Sequence, residues 1–158
     1  MIMNSILQKE LELIHYVRHS VLTLTGDMSV AQMNQVPGKM KNNLIWNLGH
    51  MVFTQQMLCY QLGGLAPAID LACFSEFAPD TVPERNIGAA EIGRIKTVFM
   101  NAFEQLATDI EANKLNAYTP WTLPSGIVIN TISDAMVTNA IHEGRHWGVM
   151  ISLAKAVS

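Results

Sequence analysis

Residues 42–62 read NNLIWNLGHMVFTQQMLCYQL, between the breaker pairs Pro37-Gly38 and Gly63-Gly64. Apolar side chains occur almost all round the helix that this run predicts, and a helix of that kind is normally buried. Its few polar side chains recur every three or four residues and therefore share one stripe, made of Asn43, Asn47, His50 and Thr54. The stripe is either a solvent-facing edge or the lining of an internal polar cleft, since buried polar groups need partners.

Three further segments carry helical periodicity, over residues 5–25, 89–113 and 132–156. The first and last of them begin with sequences typical of a capping box, at residues 5–8 and 131–134. With the segment above, they predict four main helices and leave no region rich in β-forming residues.

The connections between these helices are long. Residues 63–87 contain three prolines, and their length favours a crossover rather than a tight turn between antiparallel neighbours. Residues 114–130 include a short extended piece at 126–129, which cannot make a sheet alone. We therefore predict an all-α protein, a four-helix bundle with a long crossover connection between helices 2 and 3, forming a single domain over residues 1–158.

Composition narrows the classes of function. Of 158 residues, 49% are apolar and 15% charged, which is enough apolar material for a sizeable core. The net charge is −3 and the basic residues are scattered, so we expect no nucleic-acid partner. The sequence shows no signal peptide and no apolar run of the roughly 18 residues that a membrane span needs. Cys59 and Cys73 suit two thiols in a reducing compartment, so we expect a cytoplasmic protein without membrane contact.

Three histidines form a candidate metal site. His142 and His146 stand at i and i+4, so one helical turn carries both imidazoles to the same side of a largely core-directed face. On such a face they need either hydrogen-bonding neighbours or a metal, and His50 offers a third ligand that favours the metal. Zn²⁺ and Ni²⁺ fit three imidazoles best, with Fe²⁺ and Mn²⁺ as alternatives, and at least one position stays open for water or a thiol.

The segment 142–146 reads H-E-x-x-H, the zinc metalloprotease signature, in which Glu143 would be the general base. A protease takes its third ligand from downstream, but no residue after His146 is Asp, Glu or His. We therefore set the protease aside. Glu143 stays a candidate catalytic residue that could reach a bound water, with a surface acid as the alternative.

Several other side chains are candidates for the substrate pocket or for a rival site. Asn47, Trp46 and Arg145 neighbour the predicted ligands, and the last connection could lean Tyr118 and Trp121 over the metal. Packing is the alternative role for the aromatic residues. His15 and His19 also form an i, i+4 pair, interpreted as surface residues, and Arg18 is a candidate for a buried ion pair or an anion contact.

The segments NLIWNLGH at 43–50 and IHEGRHWG at 141–148 together resemble the DinB-like superfamily. The resemblance extends over the whole chain. It implies a four-helix bundle, often a dimer, with a metal held by one histidine of the second helix and a spaced pair in the last, here His50, His142 and His146. Members include bacillithiol- or mycothiol-dependent S-transferases, a maleylpyruvate isomerase and proteins described only as metal-dependent hydrolases. Such relatives tend to carry Gln or Leu where Arg145 stands, and residues 74–83 depart from their pattern.

Two functional hypotheses follow from the residues and the resemblance. In the first, the protein is a metal-dependent enzyme, a hydrolase or thiol S-transferase, whose three-His site activates water or a low-molecular-weight thiol against a small electrophilic substrate. In the second, it is a non-catalytic, stress-related metal-binding bundle. The expected partners are a small-molecule substrate and a second copy of the chain, as a homodimer.

Overall fold

The computed structural model describes residues 5–158, apart from the side chain of Ser5. Its helices are α1 (Ser5–Leu24), α2 (Val30–Asn34), α3 (Leu44–Cys59), α4 (Ala89–Glu111) and α5 (Ile132–Val157), with two 3₁₀ helices at Gln61–Gly63 and Leu71–Phe77. Strands β1 (Trp121–Thr122) and β2 (Val128–Ile129) pair antiparallel. The protein is thus mostly helical, and all four predicted long helices are present.

The ends of the long helices agree with the predicted capping signals where these can be compared. Thr131 and Asp134 form the expected capping box at the start of α5, each side chain accepting from the backbone N–H of the other. The corresponding prediction at residues 5–8 depends on the side chain of Ser5, which lies outside the described residues. Asn43 caps α3 by accepting from the backbone N–H of Trp46 at 2.9 Å.

Two short elements correct the sequence analysis. The extended piece at 126–129 was expected to lack a partner, but Ile129 pairs with Trp121 in a hairpin of two-residue strands whose turn contains Gly126 at φ +87°. The helix α2 was not predicted, although Ser29 and Gln32 form a capping box at its start. Both elements are too short for hydrophobic periodicity to reveal.

The long helices pack in a closed circuit. Helix α5 contacts α1 and α3, and α4 contacts α3 and α1, while the 3₁₀ helix Leu71–Phe77 lies against α3. The side chains they bury fall into two apolar clusters. One includes Val21, Val52, Phe99 and Met150, and the other includes Ile14, Leu58, Phe103 and Met136.

A buried polar network lies between the two clusters. The Arg18 side chain on α1 donates to both carboxylate oxygens of Glu143 on α5, with the shortest contact at 2.6 Å. It also donates to Gln55 Oε1 on α3 at 3.2 Å and to the Phe99 carbonyl on α4. Neither Arg18 nor Glu143 exposes any side-chain surface. Arg18 is therefore the buried ion-pair partner that its position predicted, and one guanidinium joins all four long helices.

Between residues 5 and 158, none of the helices combines the length and the apolar character required to cross a bilayer.

We expect Arg18→Met to lower the free energy of unfolding by about 3–5 kcal/mol, because the variant leaves the Glu143 carboxylate charged, buried and without its partner. The double variant Arg18→Met/Glu143→Leu should recover much of this loss, because it removes both charges and keeps apolar volume. Urea unfolding followed by circular dichroism measures both values. A double variant as unstable as the single one would contradict this account.

Candidate metal centre

The structure brings the three predicted histidines together between α3 and α5. His50, His142 and His146 each offer a ring nitrogen, and these atoms all lie within 4.8 Å of one another. Nε2 of His50 and Nε2 of His142 are 3.2 Å apart. His50 and His146 are buried, and His142 is half-buried. Among residues 5–158 we find no second cluster of this kind, and we refer to these three residues as the histidine triad.

The polar stripe on α3 lines the interior of the protein. Asn43, Asn47, His50 and Thr54 expose at most 6% of their surface. Of the two interpretations that the sequence left open, the internal polar cleft is therefore correct and the solvent-facing edge is wrong. The stripe meets α5 at the histidine triad.

The His50 ring is oriented by a backbone carbonyl. Its Nδ1 donates to the Phe77 carbonyl at 2.7 Å, so in the neutral ring the proton sits on Nδ1 and Nε2 carries the lone pair, with the Thr54 hydroxyl 3.3 Å away as a donor. Phe77 can approach because residue 49 is glycine: a Cβ there would overlap the Phe77 ring. Gly49 thus lets the 3₁₀ helix Leu71–Phe77 dock closely enough to hold the imidazole.

The His146 ring is oriented by Asn47. The Asn47 amide nitrogen donates to the Asn43 carbonyl at 2.7 Å, which turns its Oδ1 towards Nδ1 of His146 at 2.8 Å. Nδ1 of His146 must then carry the proton, and its Nε2 carries the lone pair, 3.5 Å from the Arg145 guanidinium. The sequence analysis placed Asn47 in the substrate pocket, and the structure shows that it contacts the His146 ring.

His142 differs from the other two. Its Nδ1 is buried and has no hydrogen-bond partner among the described residues. Its Nε2 lies 3.2 Å from the acceptor Nε2 of His50, so in the neutral ring it satisfies this contact only as the Nε2–H tautomer, which leaves the buried Nδ1 as an acceptor without a partner among the described residues. A divalent ion would take the place of that proton and accept the converging nitrogens as ligands. The donor set therefore fits a metal ion.

The triad is also in the protonation state that metal binding requires. Burial, followed by the neighbouring imidazoles and Arg145, lowers the pKa of His142 to about 3. Burial, followed by His50 and Arg145, lowers the pKa of His146 to about 4. Burial likewise lowers the pKa of His50, although its bond to the Phe77 carbonyl opposes this. All three rings are therefore neutral at physiological pH, as ligands must be.

Trp46 and the segment between α3 and α4 form one wall of the metal centre. The Trp46 indole stacks on the His50 ring with 4.5 Å between centroids and 13° between planes. Its Nε1 donates to Thr81 Oγ1 at 3.0 Å. Trp46 thus contacts a predicted ligand, and its place in a substrate pocket stays a prediction. Residues 74–83, which depart from the pattern of the relatives, hold His50 through Phe77 and Trp46 through Thr81.

The position of Glu143 corrects its candidacy as a catalytic residue. Its carboxylate points into the core, where it accepts from Arg18 and from Asn139 Nδ2 at 2.9 Å. Its neighbours in sequence, His142 and Gly144, are half-buried, whereas its own side chain is sealed from solvent. A carboxylate committed to a buried guanidinium cannot take a proton from a bound water, so the H-E-x-x-H pattern here has no protease geometry.

Tyr118 and Trp121 also lie elsewhere than predicted. The Tyr118 hydroxyl donates to the Leu58 carbonyl at 2.6 Å and accepts from Trp121 Nε1 at 2.7 Å. Leu58 is eight residues after His50, roughly 12 Å along α3. These aromatic residues therefore pack at the far end of α3 and do not line the triad. Gly63 permits this packing, since a Cβ there would overlap the Tyr118 ring.

Arg145 and the other histidine pair complete the comparison with the sequence predictions. Arg145 is exposed, and its Nη2 lies 3.5 Å from Nε2 of His146. His15 and His19 are exposed on α1, with ring centroids 4.2 Å apart, and are not part of the triad. The sequence analysis missed the Phe77 carbonyl. A backbone group has no side-chain signal, and Gly49 inside a helix was the only hint of a close approach.

Comparison with known proteins agrees with this centre. A family model described as the DinB superfamily matches residues 13–150, a segment that contains the whole histidine triad. No match is found among curated proteins.

We expect His50 and His146 to be Nδ1–H tautomers in the metal-free protein, because each Nδ1 faces an oxygen acceptor. Long-range ¹H–¹⁵N NMR at neutral pH distinguishes the tautomers. Asn47→Leu should change the His146 signals and leave those of His50 in place, whereas Asn47→Asp loses the bond to the Asn43 carbonyl but keeps an acceptor for Nδ1 and should preserve the Nδ1–H tautomer of His146. A His146 Nε2–H tautomer in the unmodified protein would contradict the orientation described here.

Proposed function

Because the chain belongs to the DinB superfamily, we propose that it is a metal-dependent enzyme whose histidine triad holds one divalent ion. The observation that carries the proposal is the convergence of three neutral imidazole nitrogens within 4.8 Å. Two of these rings are held by partners on Nδ1, and ligand histidines usually have such partners. Three protein ligands leave a coordination position open, as in catalytic sites.

The residues around the triad favour a thiol over water as the activated group. A bound divalent ion would lower the pKa of a water or thiol that it holds. Among residues 5–158 no carboxylate hydrogen-bonds to the triad, and the nearest in sequence, Glu143, is committed to Arg18. No side chain therefore stands ready as a general base. A thiol depends less than water on a general base, because the pKa of a thiol lies near 8.5 and it ionises readily.

We propose accordingly a thiol S-transferase acting on a small electrophilic substrate, with a hydrolase as the related alternative. Zn²⁺ and Ni²⁺ are the proposed ions, because three imidazoles suit both. Within this proposal the chain's own residues have distinct tasks. Phe77 and Asn47 aim the free nitrogens, and Trp46 covers one face of His50 and keeps water from it.

A non-catalytic metal-binding protein is the second candidate. The observation in its favour is that Glu143, the acid next to a ligand in sequence, is sealed in the core and unable to transfer protons at the triad. Full metal occupancy without turnover would support this candidate.

We also propose the finer features of the fold and its setting. The circuit of α1, α5, α3 and α4, with a long connection from α3 to α4, supports a four-helix bundle with a crossover. The free thiols of Cys59 and Cys73 support a cytoplasmic location. We propose a small-molecule substrate as the partner that binds at the histidine triad.

We expect purified, untagged protein to contain about one Zn²⁺ or Ni²⁺ per chain, since the site has the three ligands of a single ion. His50→Ala and His142→Ala should each lose most of it, while the exposed control His19→Ala should retain it. Elemental analysis after gel filtration measures the stoichiometry. Metal that survives both triad substitutions would refute the site.

Turnover is measured on the same samples with glutathione, cysteine or bacillithiol and an aryl halide electrophile, and with an ester panel for hydrolysis. Thiol consumption that depends on added metal and on His50 supports the transferase. Ester cleavage alone would favour the hydrolase.

A homodimer is proposed from the outer faces of α1 and α5. Leu13, Tyr16 and Ile141 are large apolar side chains with exposures of 53%, 60% and 70%. Exposed apolar side chains that gather on neighbouring helices are typical of interaction surfaces. Tyr16 packs edge-on against Trp147, which joins the two helices at this surface.

We expect light scattering coupled to gel filtration to give twice the 17.5 kDa chain mass. Ile141→Glu should yield a folded monomer, because a charge replaces the most exposed apolar side chain of this face. The control Val82→Glu changes an exposed apolar residue outside α1 and α5 and should remain dimeric. A monomeric unmodified protein would refute the dimer.

A further inference from the structure

Arg145 forms no ion pair with a described residue, unlike Arg18 and Arg85. Arg18 and Arg85 each contact a carboxylate at 2.6 Å. No acidic side chain among residues 5–158 comes within 4.0 Å of the Arg145 guanidinium. Within the described part of the chain, its one hydrogen-bond contact is with His146, at 3.5 Å from Nη2 to Nε2. An exposed arginine with a single long contact to an imidazole nitrogen keeps most of its five N–H donors available to a ligand.

The position of Arg145 matters because the atom that it contacts is a predicted metal-binding nitrogen, Nε2 of His146. Nε2 of His146 carries the lone pair of its ring, because Asn47 accepts from Nδ1. Nε2 of His50 carries the lone pair for the same reason, through Phe77. The guanidinium therefore stands beside the nitrogens that would bind a metal, and not at a distant part of the surface.

The donor set gives this position an unbalanced charge. Three neutral imidazoles add no negative charge to a divalent ion, unlike a site with a carboxylate ligand. The one carboxylate nearby in sequence, that of Glu143, is neutralised by Arg18. An ion at the triad and the Arg145 guanidinium would thus be two neighbouring positive centres, and no carboxylate among residues 5–158 forms an ion pair with Arg145 or a hydrogen bond with the triad. A bound molecule is left to supply the negative charge.

We propose that Arg145 is a specificity-determining residue that selects small molecules bearing a carboxylate close to the group bound at the triad. The planar guanidinium offers paired N–H donors that match the two oxygens of a carboxylate. The inference rests on the proposed function, because it takes the triad to hold a divalent ion. It goes further by naming the substrate class: an anionic thiol, or an electrophile with a carboxylate.

The test compares two small thiols, one with a carboxylate and one with a hydroxyl at the end opposite the thiol. Both 3-mercaptopropionate and 2-mercaptoethanol offer a thiolate, and only the first adds a carboxylate. Untagged protein is loaded with Co²⁺, and dissociation constants are measured from the thiolate-to-cobalt absorption and by calorimetry. The variants are Arg145→Gln, Arg145→Lys and the control Lys155→Gln, which removes an exposed charge from the same helix roughly 15 Å away. Comparing each probe across variants cancels the difference in intrinsic thiol acidity.

We expect Arg145→Gln to weaken 3-mercaptopropionate binding about ten- to hundredfold, the usual range for a hydrogen bond to a charged group. Its affinity for 2-mercaptoethanol should change less than about twofold, in the range of experimental additivity. Arg145→Lys should retain part of the preference, because it keeps the charge without the paired donors. Lys155→Gln should match the unmodified protein.

Other outcomes overturn the inference and separate it from the proposed function. Equal effects of Arg145→Gln on both probes, or no effect on either, mean that the guanidinium does not recognise the carboxylate, and the triad remains a metal site. The same loss in Lys155→Gln would reveal general electrostatic attraction and also overturn it. Protein that takes up no Co²⁺ contradicts the proposed function, and the inference fails with it.

Discussion

The hydrogen bonds of the Arg18 guanidinium are the constraint on which the arrangement of the helices depends. From α1 it reaches Glu143 on α5, Gln55 on α3 and the Phe99 carbonyl on α4. A charge sealed from water must keep its partners, so no helix can slide or rotate without exposing an unpaired group to the apolar clusters on either side. Glu143 follows His142 directly in sequence. The position along α1 at which α5 pairs Glu143 with Arg18 therefore also sets the position along α3 at which the histidines of α5 meet His50.

Helix α5 divides its polar side chains between two directions. Glu143 points towards α1 and the core, whereas His142 and His146 point towards α3, where the polar stripe ends at His50. The partners that orient two of the rings come from α3 itself, through Asn47, and from a 3₁₀ helix docked on α3, through Phe77. Partners of this kind orient ligand side chains before a metal binds, which is what preorganisation requires.

Much of this could be predicted from the sequence, and the failures have physical causes. Periodicity gave the four long helices with ends within three residues of those observed, as when Leu62 was expected to end a helix that ends at Cys59. The same spacing argument selected the triad. The prediction for Glu143 was wrong, because a local motif indicates which helix face a side chain occupies and not that its partner is Arg18, 125 residues away in sequence. The spacing argument could not find the Phe77 carbonyl, since a backbone acceptor depends on how a connection folds and not on its side chains.

The docking of Phe77 over Gly49 has a thermodynamic consequence. One hydrogen bond orients the His50 ring and also joins the 3₁₀ helix Leu71–Phe77 to α3, where Phe74 and Phe77 add apolar packing. By linkage, an occupant of the triad that prefers the oriented ring would also favour the docked position of this 3₁₀ helix. The segment between α3 and α4 is therefore coupled to the centre through one carbonyl oxygen.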